Sequence, residues 1–181
     1  MIIALLADGF EEIEALMQVD LLRRAGLDVK TVAVGSKIAI GSHGIPIICD
    51  LSGEELSLDT VSMVILPGGM PGALNLDASD LVDRAIRSVI SRGGRVAAIC
   101  AAPLILGRRG LLDGKRATCY PGFENELSGA ILVDSPVVTD GLITTANGMG
   151  AAHLLARELL TLTVGESRAD EILRSAMFSE I

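Results

Sequence analysis

The sequence predicts a doubly wound α/β fold, a mostly parallel sheet with helices on both faces. Three observations carry this. Short unbroken apolar runs, at residues 2–7, 61–66 and 96–99, read as strands buried on both faces. Amphipathic stretches of helical period separate them. Half of the chain is apolar, yet aromatics supply only 2%. The core is therefore built from Val, Ile, Leu and Ala, which suits a parallel sheet better than a β-sandwich.

In chain order, the run at 2–7 is the first strand. Residues 11–24 follow as a helix with Ile13, Leu16, Met17, Val19, Leu21 and Leu22 on a broad apolar face and Gly26 just past its end. Residues 29–34 are the second strand. Residues 37–49, broken by Gly41 and Gly44, read as short strands, a hairpin added to the sheet. The strand at 61–66 runs into Pro67-Gly68-Gly69. Asp77 or Ser79 caps a helix reaching about Arg92 and closed by Gly93-Gly94. After the strand at 96–99 and Cys100 comes a helix near 102–109. Short strands are expected at 117–119, 130–133, 137–139 and 143–145. Helices are expected at 151–162, opened by Gly148-Met149-Gly150, and at 168–177.

The 181 residues favour a single domain spanning 1–181. A net charge of -8 repels phosphate backbones and anionic bilayers, so no nucleic-acid or membrane partner is expected. The apolar start is too short for a signal or a span, and no basic segment precedes it. Three cysteines without a C-x-x-C pair, and two histidines in all, argue for free thiols, a cytoplasmic location and no metal site.

In open parallel sheets, ligands sit beyond the carboxyl ends of the strands. Residues 8–14, 67–72, 100–103 and 147–150 reach that edge. Cys100, between a buried strand and a helix, stands where hydrolases of related architecture place a nucleophile. Helix N-terminal amides there favour a thiolate. Free cysteine is also among the most buried residue types, which leaves an inert core thiol as the alternative. The amides of Gly68 and Gly69, with that of Ala101, form a candidate oxyanion nest, against the plainer reading of a simple turn. The loop lacks the Lys and Ser/Thr of a phosphate loop and the full dinucleotide fingerprint. Glu11, Glu12 and Glu14 suit a helix N-terminus on dipole grounds alone. Glu11 and Glu14 also share a face that can look into the cleft, where a carboxyl beside a thiolate keeps its proton. His43 lies in a glycine-flanked loop, His153 lies within a helix, and Asp20 with Arg24 has ion-pair spacing.

Together these motifs become specific. Asp8-Gly9-Phe10-Glu11-Glu12-Ile13-Glu14, Leu66-Pro67-Gly68-Gly69-Met70-Pro71-Gly72-Ala73 with Asn75-Leu76, and Ala97-Ala98-Ile99-Cys100-Ala101-Ala102-Pro103 resemble the ThiJ/PfpI family. Thr118-Cys119-Tyr120-Pro121-Gly122 and Asp140-Gly141-Leu142-Ile143-Thr144-Thr145 extend the resemblance over nearly the whole chain. It points to the branch of the Parkinson-disease protein and deglycases, in the class I glutamine amidotransferase-like superfamily.

The resemblance implies a flavodoxin-like fold, a homodimer, no cofactor and a small carbonyl substrate. It places the nucleophile at Cys100, a protonated partner at Glu14 and oxyanion amides at Gly68, Gly69 and Ala101. Tyr120, Asn147 and Cys119 are pocket candidates. The expected activity is that of a glutathione-independent glyoxalase or deglycase. A redox-responsive thiol sensor or chaperone is the alternative, and thiamine-thiazole biosynthesis is a weaker one resting on a historical label. Ala101 stands where the peptidase branch has His, which argues against protease or amidase chemistry. Tyr120 stands at the branch's active-site His position. Ala146-Asn147-Gly148-Met149-Gly150 replaces a loop that usually carries Arg.

Overall fold

The computed structural model describes residues 1–178. Its elements are β1 (Ile2–Leu6), α1 (Glu12–Arg24), β2 (Val29–Ala33), β3 (Ile38–Ile40), β4 (Pro46–Ile48), β5 (Leu51–Ser52) and β6 (Met63–Leu66). They continue with α2 (Gly72–Asp77), α3 (Asp80–Ser91), β7 (Arg95–Ile99), α4 (Pro103–Arg108), β8 (Arg116–Ala117) and β9 (Ile131–Leu132). The last are β10 (Val137–Asp140), β11 (Ile143–Ala146), α5 (Ala152–Val164) and α6 (Glu166–Ser175).

Seven strands form the central sheet in the order β10-β11-β7-β6-β1-β2-β5. All neighbours run parallel except β10 with β11. The central strands β1 and β6 are buried along their whole length, as unbroken apolar runs require when helices cover both faces. Alternation within the strands then sorts the core into two layers. Ile3, Leu5, Val64, Leu66, Val96 and Ala98 pack in one cluster with residues of α2, α3 and α4. Ile2, Ala4, Met63, Ile65, Ala97 and Ile99 pack in the other with residues of α1, α5 and α6. This is the flavodoxin-like arrangement expected from the sequence.

Three local expectations need correction. The hairpin β3–β4 is a sheet of its own, with the bridge of Phe10 and Gly41 beside it. It caps Phe10, Ala15 and Ala33 through Ala39 and Cys49 rather than extending the main sheet. The edge position is taken by β5, a strand too short for periodicity to reveal. Residues 72–77, to which the sequence pattern assigns no element, form the short helix α2. Helix α3 starts after Ser79, whose side chain makes no capping bond.

Because the two layers meet only through the sheet, shaving a central strand opens a cavity that no neighbour can fill. Ile65→Ala, at a fully buried position, is expected to cost about 2–5 kcal/mol. Urea denaturation would show this as a lower midpoint with an unchanged slope.

Candidate active site

Strands β1, β6, β7 and β11 deliver four loops to the same sheet edge. The loop after β6 and the start of α1 are tied together by a reciprocal pair of hydrogen bonds. The Glu11 amide donates to the Gly68 carbonyl at 3.0 Å, and the Gly68 amide donates to Glu14 Oε2 at 2.9 Å. Glu14 lies in the first turn of α1 with only 1% of its surface exposed. Glycine is required in that loop. A Cβ on Gly68 would lie 2.7 Å from both Cys100 Cβ and Glu14 Oε2. Gly69 has φ 85°, and a Cβ there would collide with the Glu11 amide nitrogen.

Cys100 follows β7 at once and holds φ 64°, a left-handed conformation rare outside glycine. Such a conformation costs on the order of 1 kcal/mol and persists only where the surroundings fix it. Here both backbone groups are fixed. The Cys100 amide donates to the Ala146 carbonyl, and the Tyr120 amide donates to the Cys100 carbonyl, each at 2.9 Å. The turn leaves the thiol half-buried, while Cys49 and Cys119 are buried. The amides of Ala101 and Gly69 are directed at the sulfur.

Burial pushes the Glu14 carboxyl up to about 7, against the hydrogen bonds it makes with Cys100 and the Gly68 amide. Burial also pushes the Cys100 thiol up, to about 12, and the charge of Glu14 and the hydrogen bond between the two groups add to this. The sequence reading expected helix amides to depress the thiol. Ala101 and Gly69 do pull it down, but burial and the nearby carboxylate outweigh them. The two groups are coupled, and burial holds the protons of both above their ordinary values.

The remaining candidates divide. Tyr120 is about half exposed and bonded through its amide to Cys100. Asn147 follows β11 and donates its amide to Pro136 at 3.0 Å. Cys119 is buried in the core layer beneath α2–α4, whereas the half-buried Cys100 packs against the other layer. Gly68 has its amide engaged by Glu14, which leaves Gly69 and Ala101 as the amides facing sulfur.

Sequence reading missed how His43 is used. Its amide donates to Glu12 Oε1 at 2.9 Å, and its Nδ1 lies 2.9 Å from Glu12 Oε2 and 3.5 Å from Glu11 Oε2. Burial opposes charge on Glu12, but the hydrogen bonds with His43 overcome it and hold the carboxyl down at about 2. Glu11, Glu12 and His43 form the one cluster of metal-ligating type among the described residues. Their donor atoms are bonded to one another, tying the hairpin to α1. No spacing signal links a loop histidine to glutamates so far upstream. Gln18 was also unremarked. It is fully buried one turn beyond Glu14 and donates to the Ala152 carbonyl at 2.8 Å.

Residues 1–162 match the model of the DJ-1/PfpI family. The chain belongs to that family. It is 34% identical to protein dj-1beta of Drosophila melanogaster over 178 residues, covering 97% of this chain and 95% of the relative. It is 31% identical to a deglycase of Pyrococcus abyssi over 164 residues, covering 89% and 98%. DJ-1 homolog B of Arabidopsis thaliana, 35% identical over 169 residues, is longer: the match covers 92% of this chain and 39% of that one. A solved DJ-1 superfamily protein from Salmonella typhimurium, a cysteine-to-alanine mutant, superposes with TM-score 0.94 at 31% identity, covering 99% and 98%. Among the described residues no helix is long and apolar enough to cross a membrane.

The raised Glu14 couples stability to pH. The folded carboxyl keeps its proton up to about 7, whereas the ordinary value is 4.5. Its contribution is complete below about 4.5 and is lost as pH rises through 7, because ionisation then occurs in a buried site. Glu14→Gln keeps an acceptor for the Gly68 amide and cannot ionise. It is expected to match the wild type at pH 4.5 and to be more stable by about 3 kcal/mol at pH 8.5. Urea titrations at both pH values would measure the difference, and an equal difference at both would contradict the assignment.

Proposed function

We propose that this chain is a cysteine-dependent enzyme that converts small α-oxoaldehydes to 2-hydroxy acids without glutathione. The observation that carries the reading is the convergence of Cys100 and Glu14 on the peptide of Gly68. A nucleophile and a proton carrier are thereby held at one point, and burial keeps protons on both to higher pH than usual. The name deglycase, carried by the Pyrococcus abyssi relative, agrees with carbonyl chemistry.

The sulfur of Cys100 attacks the aldehyde carbon, a C–S bond forms, and the carbonyl π pair moves to oxygen. The amides of Gly69 and Ala101 face that developing charge. The thiol proton passes through Glu14 to the oxygen and gives a hemithioacetal. Glu14 then removes the proton from the former aldehyde carbon and returns it to the neighbouring carbon, while the hydroxyl proton passes from the first oxygen to the second, which leaves a 2-hydroxyacyl thioester. Water cleaves the C–S bond, releases the hydroxy acid and restores the thiol. The net change is addition of one water with internal redox balance, so no cofactor is called for. With Tyr120 at the position of the branch's His, Glu14 carries both proton transfers.

The same reading takes the chain as a cytoplasmic homodimer. Ile13 on α1 and Ile38, Ile40, Ile45 and Ile48 on and beside the hairpin are exposed and supply an apolar face for a second copy. Methylglyoxal without glutathione is the test. Lactate is expected from the wild type, with none above background from Cys100→Ala, and Glu14→Gln is expected to lower kcat by about 10²–10⁴. The rate should rise with pH through about 7 as the pair loses its first proton, and that limb should be missing in Glu14→Gln. Lactate formation no faster than with Cys100→Ala removes the proposal.

A redox-sensing role is favoured by one observation: Cys100 is the half-exposed member of three free cysteines. Graded peroxide followed by peptide mass analysis is expected to show sulfinic acid at Cys100 before any oxidation of Cys49 or Cys119. The reverse order ends the sensor reading.

A further inference from the structure

The segments that pin the backbone of Cys100 also build a groove beside it. Tyr120 donates its amide to the Cys100 carbonyl, and Ala146, which receives the Cys100 amide, leads directly into 147–151. Between these two segments lies an open cavity of about 520 Å³. Its walls include Tyr120, Pro121, Pro136, Met149, Ala151 and Leu154, and none of the residues around it carries a charge. Ala151 belongs to the apolar layer against which Cys100 itself packs, and Tyr120, on the opposite wall, is bonded to the Cys100 backbone. The base is shaped by Gly148, where a Cβ would lie 3.3 Å from the Tyr120 ring, so the ring lies along bare backbone. Met149 and Tyr120 stand about half exposed at the rim, one flexible and polarisable, the other a flat aromatic face. A neighbouring cavity of about 400 Å³ is different in kind, since Glu124 and Asp134 line it together with Cys119.

An uncharged, largely apolar groove next to a nucleophile selects for an apolar substituent on the electrophile. It carries no cation to pair with a phosphate or carboxylate, and it leaves much of its surface unused by a substrate whose substituent is a methyl group. We infer that this groove is a substituent-binding subsite and that the chain favours α-oxoaldehydes bearing an aromatic or comparably bulky apolar group over methylglyoxal. The substrate assignment rests on the carbonyl chemistry proposed above, whereas the groove's effect on Cys100 does not. The reaction is the one already balanced, with an aryl group in place of methyl. The aryl group is seated against Met149 and Leu154 while the sulfur attacks the aldehyde carbon.

Two measurements separate the groove from the activity. The first is alkylation of Cys100 by N-benzyl-iodoacetamide and by iodoacetamide, followed by peptide mass analysis. In each case sulfur displaces iodide and no turnover is needed. Relative to N-acetylcysteine, the benzyl reagent is expected to gain about tenfold on Cys100, as partial burial of a phenyl ring implies. Most of that gain should vanish in Met149→Ser and in Leu154→Asn. A ratio equal to that of N-acetylcysteine, or one that neither substitution changes, overturns the subsite.

The second measurement compares kcat/KM for phenylglyoxal and methylglyoxal. Phenylglyoxal is expected to be favoured about tenfold, chiefly through KM, and the preference should shrink in Met149→Ser. Equal values with an intact alkylation gain overturn the substrate assignment while sparing the groove. Turnover of neither compound overturns the carbonyl reading, and the alkylation ratio then still decides whether the groove binds apolar groups.

Discussion

One hydrogen bond organises the candidate site: the amide of Gly68 held by the carboxyl of Glu14. It joins the end of a central strand to the first turn of a helix that comes from far earlier in the chain. It also fixes the carboxyl at a depth where water contributes little. A buried acid has two options, to keep its proton or to find a cationic partner. Glu14 has a backbone amide and a thiol as neighbours rather than a cation, so its proton is held to unusually high pH. The thiol meets the same burial and, in addition, the carboxylate's charge. The two groups therefore titrate as a unit, and any chemistry at Cys100 is also chemistry at Glu14.

The geometry of the unit is enforced by backbone rather than by side chains. Cys100 is kept in a left-handed turn by one hydrogen bond from its amide and one to its carbonyl. Gly68 and Gly69 must lack side chains because the acid, the thiol and the start of α1 already fill the space. A rigid aliphatic sheet behind these turns supplies the support, since each strand that feeds the site edge is packed between two apolar layers. At the rim, the half-exposed Tyr120 and Met149 border an uncharged groove.

Much of this was legible in the sequence. Unbroken aliphatic runs between amphipathic stretches announced a sheet covered on both faces, and β1, β6 and β7 form within a residue or two of where those runs stand. The cysteine at a strand-to-helix turn and the glycine pair after a strand were legible for the same reason: local conformation restricts which residues such turns accept. The short helix α2 and the edge strand β5 were not, because elements of so few residues carry no measurable period. The pairing of His43 with Glu12 was equally invisible, since a loop reaching back to a helix leaves no fixed spacing.

Sequence alone thus determined the layered α/β architecture and pointed to Cys100 at a strand end, because period and turn chemistry are local properties of a chain, whereas Glu14 as its partner came from the family resemblance. Tertiary structure alone decided that the Gly68 amide serves Glu14, that Cys119 is buried in the core while Cys100 is half-exposed, and that the thiol is pushed up rather than down. Those outcomes depend on burial and on the distance between groups far apart in sequence. Desolvation and electrostatic coupling act through space, and only the folded arrangement fixes the distances that set them.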